Sequence, residues 1–477
     1  MKKTTSPRKY IAHLIGIGGI GMSALAQWFL GENWAVSGSD IAESIITRKL
    51  RKLGVQVKIG HKAANLPRRA EMVVRSQAIT PKNPEFALAL RRKWKVLTYP
   101  EAVGRLTWWG YKTIAVAGAH GKSTTAALAG LTLMRGGLDP TIIVGTLLTE
   151  LGGTNYHAGK TDWLVLEADE YGKAFLHYAP LMTIITNVDA EHLDTYGDLA
   201  GVKKGFLEFM TRTRRGGAFI VNKDDKNLRA MHADIERIAK ERACTLRWYS
   251  LRDPKAIMVR GLLRLPGEHN VSNALAVLYL AELLKLPERA AAQTFRTYEG
   301  SWRRMEYKGK LKVKSSTSKV NADVFDDYAH HPTEIRATLR AFRDKFPKKK
   351  ILCVFQPHQA ERLKRLWPEF QTAFTDADAL ILFPTYRVAG RDAMPTGRQE
   401  EHPTKNVAQL ARAIAKHFPK TAPVYLEHPR MLRTAVEHAI TPLPSPDARR
   451  PKRAGNDWVI IMMGAGNIVD STELLLQ

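Results

Sequence analysis

The chain has 477 residues, 44% hydrophobic and 25% charged, with a formal net charge of +27. This length is too great for one ordinary core and calls for about three domains, and the composition excludes a disordered or fibrous protein. No apolar run reaches the ~18 residues that cross a bilayer, no cleavage site follows the basic first ten residues, and Cys244 and Cys353 are too far apart in sequence to make a disulfide framework, so a cytoplasmic protein is expected.

Residues 11 to about 107 read as a first αβ unit. The strand His13–Ile17 leads into Gly18-Gly19-Ile20-Gly21 and a helix through Met22–Phe29. A second strand, Trp34–Gly38, follows, with Ser39 and Asp40 just beyond it. Gly16, Gly18 and Gly21 make a G-x-G-x-x-G pattern with an acidic residue 19 positions after the last glycine. In strand–turn–helix order, this pattern seats a pyrophosphate on a helix N-terminus. It does not say which nucleotide owns the pyrophosphate.

A second unit runs from about 108 to 298. The β-prone Thr113–Ala117 leads into Gly118-Ala119-His120-Gly121-Lys122-Ser123-Thr124 and then the helix-forming Ala126–Ala129. Strand, glycine loop, lysine, hydroxyl and helix form a phosphate cradle, although the spacing is shorter than G-x-x-x-x-G-K-[ST]. Lys122 adds a full charge, and Ser123 can hold Mg²⁺. The buried strands Trp163–Leu166 and Met182–Thr186 end in Glu167-Ala168-Asp169-Glu170 and Asn187–His192. Ligands sit at the carboxyl ends of parallel strands, so these residues should face the loop.

The third unit, about 299 to 477, has apolar strands at Ile351–Phe355, Ala379–Phe383 and Trp458–Met463, and an exposed Pro- and Arg-rich loop at Thr441–Asn456. Strands alternating with helices argue α/β with mostly parallel sheets. The expected organisation is a Rossmann-like N-terminal domain (1–107), a P-loop ATPase domain (108–298) and a Rossmann-like C-terminal domain (299–477). Two glycine loops imply two phosphate sites, as in an enzyme that joins something to one ligand at the expense of ATP.

These residues resemble the Mur ligase family, which builds the peptide stem of bacterial cell-wall precursors. The likeness runs in order through His13–Ser23, Val36–Asp40, Gly118–Thr125, Glu167–Glu170, Asn187–Tyr196, Pro266–Ala274, Asp326–Glu334, Phe355–His358 and Met463–Gly466. It implies that a substrate carboxylate attacks the γ-phosphate of ATP, and that an amine then displaces phosphate from the acyl phosphate. Catalysis would rest on positioning and cationic stabilisation. By resemblance, the substrates are UDP-N-acetylmuramate, ATP and L-alanine, with Mg²⁺ as cofactor, in peptidoglycan synthesis. Lys122, Glu167, His192 and Arg304 would be catalytic; Ser123 and Glu167 would hold one Mg²⁺, and His192 would help hold a second. ATP would meet residues 118–124 together with His269, Asn270, Asn273, Asp327 and His330. The UDP-sugar would meet Gly18, Gly19, Ile20, Gly21, Ser39, Asp40 and Ser76. Tyr328, His358, Gln359 and Arg362 would lie near the amino acid, and the third domain would close over the site and exclude water. A monomer or weak dimer is expected.

The sequence also departs from the family. Gln359 stands where arginine is frequent, which turns a bidentate charge pair into a neutral hydrogen bond unless Arg362, Arg365 or Arg387 compensates. Ala119 replaces a threonine, and Gln77 a serine. Lys203 and Lys204 are the candidates for a carbamylated lysine. Three alternatives stay open: a ligase that recycles a murein tripeptide onto the same sugar nucleotide, a nicotinamide oxidoreductase, and a nucleic-acid-binding ATPase. The last rests on net charge alone. The basic residues fall in short groups at Arg48–Lys52, Arg91–Lys95, Arg212–Arg215, Lys348–Lys350 and Arg449–Arg453 without interleaved aromatics, so neither a nucleic-acid nor a membrane partner is expected.

Overall fold

The computed structural model describes residues 10–314, 319–387, 406–418, 423–441 and 457–477. Beyond Thr441, the Pro- and Arg-rich loop lies outside them, as does the Arg449–Arg453 group. The chain divides into two compact units. One comprises the described residues up to Arg264 with Asn270–Glu299, and the other Leu265–His269 with Gly300–Gln477.

The first unit holds two sheets. In the first sheet, β1 (Ile11–Ile15), β2 (Ala35–Asp40), β3 (Gln56–Ile59), β4 (Met72–Arg75) and β5 (Val96–Thr98) are all parallel, in the order β3-β2-β1-β4-β5. β1 stops at Ile15, two residues short of the end that the sequence suggested. Gly16, at φ +82°, turns the chain into the Ile20–Gly31 helix. The second sheet has β6 (Lys112–Ala117), β7 (Thr141–Leu148), β8 (Thr154–His157), β9 (Trp163–Glu167), β10 (Met182–Ile185), β11 (Ala218–Asn222) and β12 (Thr245–Tyr249). Its order is β12-β11-β10-β6-β9-β7-β8, parallel except for the β7–β8 edge hairpin. Apolar residues of both sheets and their helices, among them Leu14, Phe29, Leu166, Phe175 and Phe206, form one core.

The second unit is built on β13 (Glu306–Lys314), β14 (Lys319–Asp327), β15 (Lys350–Phe355), β16 (Ala379–Leu382), β17 (Val424–Tyr425) and β18 (Asp457–Met463). They lie in the order β13-β14-β18-β15-β16-β17, with only β13 and β14 antiparallel. Helices cover both faces over separate cores, around Phe342 and Phe355 on one side and Val354 and Ile460 on the other. Among the described residues, no helix is long and apolar enough to cross a membrane.

Candidate active site

In the first unit, β6 delivers the phosphate loop at its carboxyl end. Gly118 sits at φ +143°, and a Cβ there would lie 2.0 Å from Thr186 Oγ1. Gly121, at φ +80°, would meet Asn273 Oδ1 at 2.5 Å. Only glycine fits either place, so the loop is pressed between the end of β10 and the Glu268–Leu283 helix that carries Asn273.

The loop's donors divide unequally. The Ala119 N–H donates to the Asn187 carbonyl at 3.2 Å, and the His120 N–H to Asn187 Oδ1 at 2.8 Å. Asn187 Nδ2 donates back to the His120 carbonyl at 2.9 Å. Ala119 and His120, expected to offer their N–H groups to phosphate, are therefore tied to Asn187. The N–H groups of Gly121, Lys122, Ser123 and Thr124 have no acceptor among the described residues. They start the Lys122–Arg135 helix, whose dipole favours an anion there.

Lys122 Nζ donates to the Gly118 carbonyl at 2.7 Å and the Ala119 carbonyl at 3.3 Å, and it meets both oxygens of Glu170 at 3.1 and 2.9 Å. Burial opposes the ammonium's charge, but Glu170, then Asp169 and Glu167, outweigh it and raise the pKa above the ordinary lysine value. Ser123 Oγ lies 3.1 and 3.0 Å from the two Glu167 oxygens, and Gly145 N–H donates to Glu167 at 2.9 Å. Burial pushes the Glu167 pKa up, Lys122 pulls against it, and Asp169 adds to the rise.

Ser123 and Glu167, expected at one metal ion, are together. His192, expected at a second, has its Nε2 3.6 Å from Glu170 Oε1, in a group with Asp169 and Glu170 whose ligand atoms fall within 4.8 Å of one another. His192 stands in the left-handed region, at φ +54°, before a short helix, and its ring packs on Tyr171. Glu170 and Asn187 had no role of their own in the sequence analysis. Both lay in motifs already noted, next to residues that did. Asn270 and Asn273, expected at the adenine, are both buried on the Glu268–Leu283 helix.

At the first glycine loop, Gly18 N–H donates to Asp40 Oδ2 at 2.7 Å, and Ile41 N–H to Asp40 Oδ1 at 2.8 Å. Ser76 sits against Gly16, where a Cβ would stand 2.9 Å from the Ser76 Cβ. Ser39 turns inward: it is fully buried, and its hydroxyl donates to Glu85 Oε2 at 2.9 Å. Glu85 also meets His13 at 2.8 Å, His61 at 3.2 Å and Asn65 at 3.2 Å. Burial raises its pKa, but the hydrogen bonds from His13, Ser39 and Asn65 prevail and keep it below the ordinary value. The side chain of Ser39 thus braces the end of β2 and is not presented to a ligand.

The second unit gathers the other predicted residues. The Asp327 carboxylate, expected at the ATP ribose, is buried and accepts from the N–H groups of Met305 and Ala329, each at 2.9 Å, and from Thr338 Oγ1 at 3.2 Å. Arg304 lies 3.6 Å from Glu334, with its guanidinium 5.1 Å from the Tyr328 ring. His330 Nδ1 meets Glu334 at 3.1 Å. The rings of Tyr328, His330, His358 and Tyr386 follow one another at 5.4, 5.7 and 5.5 Å, the last pair stacked. Arg362 Nη1 reaches His358 Nδ1 at 3.3 Å. Gln359 follows in a left-handed conformation, φ +69°, with its N–H on the Tyr386 carbonyl at 2.9 Å. His269 is kept neutral: burial first, then the Arg304 charge, lower its pKa to about 4. Glu334 and Tyr386 were missed. Glu334 was readable as the fourth position of a helix start after His331.

Three Mur ligase profiles match in order: the Mur ligase family catalytic domain over residues 11–108, the Mur ligase middle domain over 116–281 and the Mur ligase glutamate ligase domain over 303–466. UDP-N-acetylmuramate–L-alanine ligase of Desulfotalea psychrophila is 35% identical over 98% of this chain and 97% of its own length. The enzyme of the same name from Salinibacter ruber is 35% identical over 98% and 94%. The chain belongs to the Mur ligase family. Its fold is also that of solved family structures. UDP-N-acetylmuramate–alanine ligase of Thermotoga maritima aligns with TM-score 0.72 at 23% identity over 98% of both chains. A murein peptide ligase of Psychrobacter arcticus gives 0.64 at 20% identity, again over 98% of both. The oxidoreductase alternative leaves this agreement and the second phosphate loop unexplained.

Proposed function

We propose that this Mur ligase is an ATP-dependent enzyme that joins the carboxylate of UDP-N-acetylmuramate to L-alanine in peptidoglycan precursor synthesis, in the cytoplasm. The observation that carries the proposal is the Lys122 loop with Ser123 and Glu167 beside it, in a chain 35% identical over nearly its whole length to ligases of that name. In this scheme, residues 1–107 hold the sugar nucleotide, 108–298 hold ATP and 299–477 bring the amino acid.

The chemistry follows from the residues. The free N–H groups of 121–124 and the helix dipole bind the phosphates, and Lys122 leaves Glu170 for their charge. A muramoyl carboxylate oxygen attacks the γ-phosphorus and ADP departs. The alanine nitrogen, once deprotonated, attacks the acyl carbon and inorganic phosphate leaves. The hard oxygens of Ser123 and Glu167 suit Mg²⁺, with Asp169, Glu170 and His192 as a second group of possible ligands. Bound there, Mg²⁺ would neutralise charge on the phosphate oxygens. In the second unit, the Arg362 guanidinium beside His358 suits the alanine carboxylate, and neutral His269 can both donate and accept at a purine edge.

Phosphate release from ATP with UDP-N-acetylmuramate and a panel of acceptors tests this reading. Release with L-alanine alone is expected. A response only to the murein tripeptide would select the recycling ligase, and silence with every acceptor would remove the ligase claim. Lys122→Ala is expected to lower turnover at least about a thousandfold while UDP-N-acetylmuramate still binds. Equal loss of both would contradict the division between the two loops.

A further inference from the structure

Tyr99 has no part in the machinery described so far. It is the first residue of the Tyr99–Trp108 helix, which begins at the carboxyl end of β5. Its backbone is fixed by a reciprocal cap: Thr98 N–H donates to Glu101 Oε2 at 2.7 Å, and Glu101 N–H to Thr98 Oγ1 at 3.4 Å, with Pro100 presetting the first turn. The ring packs against the core of the first unit and across Gly21. A Cβ on Gly21 would stand 2.6 Å from Tyr99 Cζ and 2.9 Å from its hydroxyl oxygen.

Gly21 lies in the first turn of the Ile20–Gly31 helix. The N–H groups of Ile20, Gly21 and Met22 make no hydrogen bond among the described residues. The phenol therefore stands over an open helix N-terminus. Glu167 and Asp169 are close enough to act on it: burial first, then these two charges, raise its pKa, so it remains a donor at working pH. Yet the hydroxyl has no hydrogen-bond partner among the described residues. The hydroxyl oxygen keeps some solvent access and is open to a ligand, whereas phenylalanine would fill the same space against Gly21 equally well, so packing does not account for the oxygen.

We propose that the Tyr99 hydroxyl donates a hydrogen bond to an anionic oxygen of the sugar nucleotide and is a substrate-binding residue of this chain. The proposal rests on the placement of that substrate at Gly18–Gly21. A protonated phenol at the rim of the loop can donate to a ligand in place of water, and the field of a helix N-terminus favours a negative acceptor. The substrate offers such oxygens on its diphosphate and on its muramoyl carboxylate.

The test is Tyr99→Phe, with dissociation constants measured by calorimetry for UDP, UDP-N-acetylglucosamine and UDP-N-acetylmuramate, and with Michaelis constants for all three substrates. UDP-N-acetylmuramate binding is expected to weaken about tenfold or more. The Michaelis constants for ATP and L-alanine and the melting temperature should not move, because the hydroxyl has no hydrogen-bond partner among the described residues. Weakening of all three nucleotides makes the diphosphate the acceptor, and weakening of UDP-N-acetylmuramate alone makes it the carboxylate. A variant that binds all three like the wild type overturns the proposal. A wild-type protein that binds none of them overturns the placement at Gly18–Gly21 and this inference with it.

Discussion

Gln359 follows His358 with φ +69° and ψ +121°, a region where a Cβ crowds the backbone. Nothing but its neighbours holds it there: its N–H is on the Tyr386 carbonyl, while His358 is stacked on the Tyr386 ring. Gln359→Gly should therefore raise the unfolding free energy by about 1 kcal/mol, seen as a higher denaturant midpoint at unchanged slope. A lower midpoint would mean that the glutamine side chain makes contacts worth more than the strain. Asp326 is a second residue under tension. Its Oδ1 accepts from Thr472 at 2.5 Å, but its buried Oδ2 has no donor among the described residues, with Lys308 Nζ 4.0 Å away. Burial raises its pKa to about 6, against the pull of Thr472 and Lys308. The folded state thus prefers the protonated acid. Stability from this preference is full below the unfolded value near 3.8 and is lost as pH rises through about 6. Asp326→Asn should gain on the wild type by about 1–1.5 kcal/mol between pH 5 and pH 8, about half of the full effect, the rest being lost already below pH 5. Thermal melts of both proteins at the two pH values decide it, and a gap that does not widen refutes the assignment.

The loop after β6 is held by Thr186 and Asn187 in the loop after β10, with the Asn187 side chain making two of the bonds. Asn187 takes the His120 N–H and returns a bond to the His120 carbonyl, and so fixes where the four open N–H groups point. Asn187→Ala should raise the Michaelis constant for ATP about tenfold and destabilise the protein by about 1–3 kcal/mol, without altering binding of UDP-N-acetylmuramate. Steady-state kinetics with ATP varied would check it, and an unchanged constant would mean that the loop keeps its shape unaided. This element also marks how far the sequence could be read. The glycines of both loops were legible because their backbone demands are local, as the +143° of Gly118 illustrates. The pairing of Lys122 with Glu170 was not, since their separation of 48 positions is closed only by β9 lying beside β6. β13 was missed for another reason. Its Leu311 and Val313 point inward between lysines, the alternation of an edge strand, and a search for apolar runs passes over it. In the β7–β8 hairpin at the edge of the second sheet, the short and polar β8 offers no apolar run to find, while β7, apolar and mostly buried, was not singled out.

At the scale of the whole chain, the charge of +27 is the property that the proposed chemistry does not use. Much of it is engaged locally. Lys49 donates to the carbonyls of Gly152 and Gly153, Arg215 to that of Glu241, and Lys349 to Asp323, while Arg51 meets Glu43. Among the described residues, the groups at Arg48–Lys52, Arg212–Arg215 and Lys348–Lys350 therefore sit on different elements with separate partners. A backbone-binding protein instead aligns its cations along phosphates, and each contact steepens the fall of affinity with salt. Attraction for generic DNA should then be diffuse. A logarithmic plot of affinity against salt concentration should slope at about −2 to −3, well short of the −6 to −9 that about seven to ten phosphate contacts would give. ATP turnover should not respond to DNA, because the loop that binds nucleotide depends on Asn187, Asn273 and Glu170, none of them in the basic groups. Fluorescence titration of labelled duplex across a salt series, run beside the phosphate-release assay, checks both. A steep slope together with DNA-stimulated hydrolysis would restore the nucleic-acid reading, because neither diffuse charge nor amide-bond synthesis produces the two at once.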